Sequence, residues 1–231
     1  MNGISNIIEE ENGQGNLLIG LFVFVYLVFV LADVIFAANF KNWKYLPNIS
    51  NIEQKIAANT KIIESERGQN NSGEKLIRAY IARSFLYTEL EKYDQALKDL
   101  YRALEINRLD HIVHNNLAWV FYNLHELEKA LENANIAIEL EPENFFSLNN
   151  RALILMELNK LDEAMRDISG AIKLNRDHAF SYFTRGRIYV LQREKKKAGK
   201  DFRRAIQLDR NLKKNIDEFR AIARSREGEK F

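Results

Sequence analysis

Two pairs of adjacent asparagines, Asn115–Asn116 and Asn149–Asn150, lie 34 residues apart in the sequence. An asparagine side chain carries both a donor and an acceptor, so it can complement the backbone of a bound peptide. Aromatic residues surround the two pairs, and such side chains supply apolar anchors in protein interfaces. This combination indicates hydrogen bonding to an extended segment. The alternative is that the asparagines are merely exposed and that the aromatic residues pack between helices.

The patterns that support catalysis are absent from the sequence: it contains no GxGxxG, no phosphate-binding GK[ST] loop, no GxSxG and no HExxH. His111 and His114 are three residues apart, but no third metal ligand is evident near them and the chain has no cysteine. His125 and His178 fall in predicted turns, and we expect both at the surface. We therefore expect no enzyme activity, no metal and no cofactor.

Small residues recur through the second half of the chain with a period of 34 residues. In each of four consecutive units an alanine is followed by a second alanine seven residues later and preceded by a small residue twelve residues earlier. Small side chains at fixed places allow two helices to pack closely, so the spacing indicates a repeated helix pair. The twelve residues are Ser84, Ala96, Ala103, Ala118, Ala130, Ala137, Ala152, Ala164, Ala171, Gly186, Ala198 and Ala205.

Larger apolar residues keep the same register, because Tyr87, Phe121, Leu155 and Tyr189 each follow the first small residue of their unit by three positions. A 34-residue helix–turn–helix unit with this pattern resembles the tetratricopeptide repeat family, over residues 77 to about 210. The resemblance implies an all-α fold, a right-handed solenoid of four helix pairs, and usually no catalysis. The four predicted units are residues 77–110, 111–144, 145–178 and 179–212.

The resemblance also implies a surface for a partner, because in this family the first helices of the units line a concave face that receives the ligand. Mapping the family's inward positions onto this sequence also gives Phe85 in the first unit and Phe146 in the third. Co-chaperone members grip a C-terminal carboxylate there with lysine, arginine and asparagine side chains. Of the matching positions only Asn116 fits, so a chaperone-tail clamp is not expected. The predicted partner-binding residues are Asn115, Asn116, Trp119, Tyr122, Asn149, Asn150, Leu153, Phe180, Phe183 and Arg187.

An arginine and an aspartate sixteen residues apart recur in units one, three and four, whereas unit two has Leu117 and Asn133 at these positions. Because the two positions change together, we predict an ion pair that joins the two helices of each of the three units. The alternative is two unrelated surface charges. The predicted pairs are Arg83–Asp99, Arg151–Asp167 and Arg185–Asp201.

Positive charge is concentrated at the C-terminal end: residues 179–231 carry 16 Lys and Arg against seven Asp and Glu, although the whole chain has a net charge of only +2. Apolar residues in the segment 211–231 predict a basic capping helix. The basic patch suits anionic lipid, an acidic protein or nucleic acid, although no nucleic-acid motif is present. The alternative is a solvated end that prevents stacking between molecules. The patch comprises Lys195, Lys196, Lys197, Lys200, Arg203, Arg204, Lys213 and Lys214.

An apolar run predicts a membrane-spanning helix at residues 17–38, after a short acidic tail at residues 1–16. A helix of this length rises about 33 Å, and the hydrocarbon core of a bilayer is about 30 Å thick. A cleaved signal peptide is the alternative, but residues 1–40 contain no basic residue. Lys41 and Lys44 follow the span, so we expect a single-pass protein with its N-terminus outside and its repeats in the cytoplasm. Asp33 lies either at the membrane interface or against a membrane partner.

The segment 39–76 is predicted to be a linker that contains one short amphipathic helix. Ile52, Ile56 and Ile63 have helical spacing and predict that this helix runs from about Ile52 to Glu66. The polar stretch 66–75 then predicts a solvated loop. The helix either caps the first repeat or lies against the bilayer, and the sequence leaves both possibilities open.

These features together predict a membrane-anchored scaffold or adaptor whose cytoplasmic groove binds a protein or peptide partner. The alternative is a structural subunit of a membrane complex, held through the spanning helix. In that case the basic end contacts anionic lipid, nucleic acid or an acidic protein.

Overall fold

The structure, a computed structural model, describes residues 49–66 and 73–227. Within these ranges the regular structure is entirely α-helical, which confirms the predicted all-α class for this part of the chain. The helices are α1 (Ile49–Glu66), α2 (Gly73–Glu89), α3 (Tyr93–Ile106), α4 (His111–Asn123), α5 (Leu127–Leu140), α6 (Phe145–Glu157), α7 (Leu161–Leu174), α8 (Ala179–Leu191), α9 (Lys195–Leu208) and α10 (Leu212–Glu227).

Four helix pairs, α2–α3, α4–α5, α6–α7 and α8–α9, are each closed by a turn of the same geometry. One residue in each turn has a left-handed backbone conformation, namely Glu91, His125, Asn159 or Arg193, with φ between 57° and 61°. The amide of the following residue donates to a carbonyl five residues earlier, as in Glu126 N to Phe121 O at 2.9 Å. This bond satisfies a carbonyl at the end of the first helix and reverses the chain. The turns recur without glycine, so the sequence gives little sign of them.

The twelve small residues that define the repeat all lie in the interior of the helix pairs. Ala96, Ala130 and Ala164 have no exposed surface. Gly186 has no room for a side chain, since a Cβ atom at this position would lie 2.5 Å from Cε1 of Phe202. Close approach of the two helix backbones therefore requires small residues here, as the spacing predicts.

The first helices α2, α4, α6 and α8 contact one another in succession, whereas the second helices α3, α5, α7 and α9 do not pack on one another in this way. The stack is therefore tighter on the side of the first helices. We call the exposed side of α2, α4, α6 and α8 the inner surface, and that of α3, α5, α7 and α9 the outer surface.

Helix α1 packs against α2, with Ile63 buried in the core that the two helices share. Arg83 of α2 donates from Nη1 to Thr60 Oγ1 of α1 at 2.8 Å, and Lys75 forms an ion pair with Glu66. Of the two possibilities that the sequence left open, the structure shows the first, because α1 covers the end of the first repeat.

Helix α10 covers the other end of the stack and contacts α8 and α9. Its apolar residues Leu212, Ile216 and Phe219 are buried. The Phe219 ring lies 6.4 Å from the ring of Phe183 and 6.0 Å from the ring of Phe202, measured between centroids. The basic C-terminal segment thus supplies an apolar face to the fourth repeat.

The predicted localisation, a single-pass membrane protein with cytoplasmic repeats, requires correction. None of the helices in residues 49–66 and 73–227 combines the length and the apolar character needed to cross a bilayer. The predicted span at residues 17–38 and Asp33 within it lie outside the described residues.

Candidate functional site

Three arginine–aspartate pairs hold the helix pairs together, which confirms the sequence prediction. In the third repeat, Arg151 donates from Nε and Nη2 to Asp167 at 2.7 and 2.9 Å. Arg83 binds Asp99 in the same bidentate way, and Arg185 binds Asp201 likewise. The hydrogen bonds that each arginine donates to its aspartate raise the pKa of the arginine above its usual value.

The second repeat replaces this pair with a different link. Leu117 is buried in the place of the arginine, and Asn133, in the place of the aspartate, binds His114 instead. The His114 Nδ1 to Asn133 Oδ1 distance is 3.1 Å, and Nε2 lies 3.1 Å from the carbonyl oxygen of Arg108. His114 is therefore a structural residue that joins α4 to α5. The sequence prediction missed this role because His114 lies three positions from the arginine site.

A row of apolar side chains is exposed on the inner surface. Ile112, Phe146 and Phe180 are each the second residue of their helix and recur at intervals of 34 residues. Ile112 and Phe146 are 45% and 53% exposed, and Phe180 is half-buried. Phe85 on α2 adds another side chain that is 50% exposed. We call Phe85, Ile112, Phe146 and Phe180 the apolar row. Ile112 was absent from the sequence prediction, although the repeat spacing points to it.

The asparagines lie beside this row, but they are partly engaged by the protein itself. Asn150 donates from Nδ2 to Asn115 Oδ1 at 3.0 Å, which links α6 to α4. Asn116 donates from Nδ2 to the carbonyl oxygen of Ile112 at 2.8 Å. The side-chain carbonyl oxygens of Asn116 and Asn150 thus remain as acceptors for a ligand, and both residues are half-buried.

Four of the predicted binding residues are placed in the interior instead. Asn149, Leu153, Phe183 and Arg187 are each at most 3% exposed. Asn149 accepts a hydrogen bond from Ser181 Oγ at 3.3 Å, and Phe183 packs against α10 through Phe219. The neighbouring repeat or helix α10 covers these four side chains, so they pack in the core behind the inner surface.

Trp119 and Tyr122 form a stacked pair on α4, with ring centroids 5.4 Å apart and an interplanar angle of 15°. Tyr122 Oη lies 3.5 Å from Glu157 Oε1 on α6, and Arg187 Nη2 on α8 lies 3.3 Å from the same oxygen. Burial and the charge of Glu157 raise the pKa of Tyr122 well above its usual value, so it stays a neutral donor. This network ties the three successive first helices α4, α6 and α8 together.

His178 lies among aromatic rings at the start of α8, whereas the sequence suggested a surface residue. Its ring is 5.1 Å from the ring of Phe145, 5.5 Å from that of Phe146 and 6.4 Å from that of Phe180. Its Nδ1 lies 2.8 Å from Ser181 Oγ. Burial lowers the pKa of His178, which favours the neutral ring. His178 therefore extends the apolar row between α6 and α8.

The predicted basic patch lies on α9 and at the start of α10, away from the apolar row. Four of its members have acidic partners, because Lys197 pairs with Glu194, Arg204 with Asp177, Lys213 with Asp217 and Lys214 with Glu218. The predicted patch comprised eight residues, of which Lys196, Lys200 and Arg203 project from the outer surface.

No group of three or more His, Asp or Glu residues that could hold a metal ion occurs in residues 49–66 and 73–227. His111 and His114 do not converge on a third ligand, and both ring nitrogens of His114 are used as described above. The inner surface instead offers apolar side chains beside amide oxygens, an arrangement suited to binding a polypeptide.

A sequence pattern of the family described as "Tetratricopeptide repeat" matches residues 77–108, 147–178 and 181–212. The matches cover units one, three and four, which carry the arginine–aspartate pair. A comparison with curated proteins finds no match. The second unit lies outside the matched residues, but it forms the same kind of helix pair in the structure.

Solved structures of other proteins share the fold. PilF of Pseudomonas aeruginosa is 23% identical with a TM-score of 0.60, over 68% of this chain and 71% of that chain. MamA is 16% identical with a TM-score of 0.53, over 74% and 99% of the two chains. YrrB, described as a TPR protein with an unusual peptide-binding site, is 20% identical with a TM-score of 0.51, over 84% and 91%. Three of the four helix pairs thus match the tetratricopeptide repeat in sequence, and the structural neighbours show that the chain shares their fold.

Proposed function

We propose that this protein is an interaction scaffold that binds an extended segment of a partner protein on its inner surface. The observation that carries the proposal is the apolar row, in which Ile112 and Phe146 are exposed at the same position of successive first helices and Phe85 is exposed about two turns further along α2. Monomeric proteins seldom leave such a row uncovered, and a row beside polar groups is typical of a binding surface.

The recognition chemistry divides between two kinds of residue. The apolar row offers positions for the side chains of a partner, and the spacing of the helices sets the spacing of these positions. The amide oxygens of Asn116 and Asn150 accept hydrogen bonds from the partner's backbone N–H groups. The rigid first helices hold both sets in place, so little conformational entropy is lost on binding.

The structural neighbours give support of a general kind. YrrB has a peptide-binding site according to its description, and it shares the fold of this chain. We propose a polypeptide partner for this chain on the same grounds. Catalysis forms no part of the proposal.

The proposal is tested by selecting peptides from a displayed random library with the full chain as the target. Binding of a selected peptide is then measured by fluorescence anisotropy. The variant Ile112→Ser/Phe146→Ser should weaken binding at least about tenfold, because each side chain contributes apolar contact area in the centre of the surface.

A matched control replaces two equally exposed apolar residues on second helices, Tyr101→Ser and Leu174→Ser. This control should bind the peptide like the wild type, and both variants should retain the helical circular dichroism signal. Selection of no peptide, or equal loss of binding in both variants, would reject the inner surface as the site.

A further inference from the structure

A cavity of about 260 Å³ lies in the third repeat, among helices α5, α6 and α7. Arg151 and Leu155 of α6 line it from within the repeat, and Leu131 of α5 lines it from the preceding repeat. Its other walls belong to α5, to α7 and to the turn before α7, so it lies on the side of the second helices. The cavity is therefore separate from the apolar row of the inner surface.

In the first and fourth repeats, aromatic rings lie on both sides of the arginine that pairs with aspartate. The guanidinium of Arg83 lies 5.9 Å from the ring centroid of Tyr80 and 5.8 Å from that of Tyr87. Arg185 has two tyrosine rings at the same positions of its repeat, at 5.6 and 6.0 Å. Rings at these distances cover the faces of the guanidinium through cation–π contacts.

The third repeat lacks both rings, because Leu148 and Leu155 occupy the two positions. No aromatic ring lies against the Arg151 guanidinium in the part of the chain that the structure describes. The Arg151 side chain is 25% exposed, although Asp167 and Asn135 accept hydrogen bonds from it. The cavity thus lies where the other two repeats place an aromatic ring.

Three exposed charged side chains, Lys160, Glu163 and Arg166, stand at the rim of the cavity. None of the three forms an ion pair or a hydrogen bond with another residue of 49–66 and 73–227. Both signs of charge are therefore available to a ligand at the same rim.

The charges in and around the cavity balance. Arg151, Lys160 and Arg166 are cations, and Asp167 and Glu163 are carboxylates that also line the space. Glu139 adds a third carboxylate nearby, since the pKa of Arg151 is raised chiefly by its hydrogen bond to Asp167 and further by the charges of Glu163 and Glu139. A ligand without net charge suits these surroundings best.

We propose that this cavity binds a small zwitterion that carries an aromatic ring, of the class of the aromatic α-amino acids. The ring takes the place of the missing tyrosine rings, between the guanidinium of Arg151 and the apolar side chains of Leu131 and Leu155. The carboxylate pairs with Lys160 and Arg166 at the rim, and the ammonium group pairs with Glu163.

The size of the cavity agrees with this class of ligand. A cavity of about 150 Å³ is enough to hold benzene, so about 260 Å³ holds a ring and a short polar chain. Since the ligand has only about a dozen non-hydrogen atoms and its charged groups stay near solvent, we expect a dissociation constant of about 1 mM.

The experiment titrates the full chain with three probes and measures binding by saturation-transfer difference NMR. The probes are L-phenylalanine, 3-phenylpropanoate and 2-phenylethylamine, which share the ring and differ in their charged groups. L-phenylalanine should bind with a dissociation constant of about 1 mM. Each of the other two lacks one charged group and should bind at least about threefold more weakly.

The variant Leu155→Tyr supplies one of the missing rings from the protein itself. Binding of L-phenylalanine should become at least about tenfold weaker, because the new side chain occupies the place of the ligand's ring. The variant should remain folded, since two other repeats have tyrosine at this position. The matched control Leu155→Met keeps the side-chain volume and should bind like the wild type.

Substitutions at the rim test the assignment of the two charged groups. Glu163→Gln should weaken binding of L-phenylalanine and 2-phenylethylamine, but not of 3-phenylpropanoate. Lys160→Gln/Arg166→Gln should weaken binding of L-phenylalanine and 3-phenylpropanoate, but not of 2-phenylethylamine. The control Lys173→Gln/Arg176→Gln removes two exposed cations that do not line the cavity, and it should change none of the three affinities.

Three results would overturn the proposal. The first is the absence of saturation transfer to L-phenylalanine at about 10 mM. The second is equal binding of the three probes, and the third is unchanged binding by Leu155→Tyr. All variants should keep the helical circular dichroism signal. If Leu155→Tyr loses this signal, the exposed rim variants decide the question, because equal affinities in them and in the wild type would also reject the site.

Discussion

Arg151 engages three helices at once, which is more than the sequence prediction of a pair within one repeat. Its Nε and Nη2 bind Asp167 of α7, and its Nη1 donates to Asn135 Oδ1 of α5 at 3.0 Å. Arg83 does the same through Thr60 of α1. The arginine therefore joins its own helix pair to the preceding second helix, so it stabilises the stacking of repeats as well as each repeat.

Arg151→Ala should lower the free energy of unfolding by about 2–3 kcal/mol, because it leaves the largely buried Asp167 carboxylate without its partner. The double variant Arg151→Leu/Asp167→Asn should lower it by only about 1 kcal/mol, since no uncompensated charge remains. Urea unfolding followed by circular dichroism measures both values.

The reversed order, with the double variant less stable than Arg151→Ala, would contradict this account of the pair. Arg166→Ala is a suitable control, because Arg166 is exposed on the neighbouring helix. Its effect should stay within about 0.5 kcal/mol, as is usual for surface substitutions.

At the scale of the helix pair, the distance between the two helices is set by the smallest side chain between them. In the fourth repeat this is Gly186 of α8, which lies against the ring of Phe202 of α9. The ring is buried and packs against Phe183 and Phe219, so it has no room to move. The other repeats have serine or alanine at this position, beside a leucine or isoleucine in units one and three. In the fourth repeat the absence of a side chain at Gly186 therefore makes room for the larger ring of Phe202.

Gly186→Ala should destabilise the protein by about 1–2 kcal/mol, because overpacking costs more than the gain in helix propensity. Gly199→Ala in the next helix should stabilise it by up to about 1 kcal/mol, since a Cβ there would meet only Arg203 Nη1 at 3.7 Å. Thermal and urea unfolding of both variants test this contrast. Equal effects of the two substitutions would show that packing against Phe202 does not set the helix distance.

At the scale of the whole stack, the two end helices complete a core that the repeats alone would leave open. Helix α1 covers α2, and α10 covers α8 and α9. Helix α10 helps to bury Arg187 of α8. The Arg187 side chain is almost fully buried, and its guanidinium lies 5.6 Å from the centroid of the Phe219 ring of α10. In a stack in which each repeat contacts mainly its neighbours, the loss of one end is felt mostly at that end.

Phe219→Ala should lower the stability of the fourth repeat by about 3–4 kcal/mol, because it leaves a cavity between α8, α9 and α10. Hydrogen exchange followed by mass spectrometry should show faster exchange in α8, α9 and α10, and unchanged exchange in α2 and α3. Uniformly faster exchange would indicate that the stack unfolds as one cooperative unit.

The parts that were predictable from the sequence are those that each repeat specifies locally. The spacing of Ala96, Ala130, Ala164 and Ala198 predicts the helix pairs, because only small residues fit where two backbones meet. The paired change of arginine and aspartate predicts the ion pairs for a similar reason, since each side chain requires its partner when it is buried. The His114–Asn133 link escaped prediction, because it occurs once and no periodicity reveals it.

The sequence by itself determined which residues belong to the first helices and which of them are polar, apolar or small. Only the tertiary structure decided which of these residues reach the inner surface. Leu153, Phe183 and Arg187 occupy inward positions of their own helices, yet the next repeat or α10 covers them. The exposure of these side chains depends on how closely neighbouring repeats approach each other. That distance is set by packing between residues more than 30 positions apart, so no single repeat encodes it.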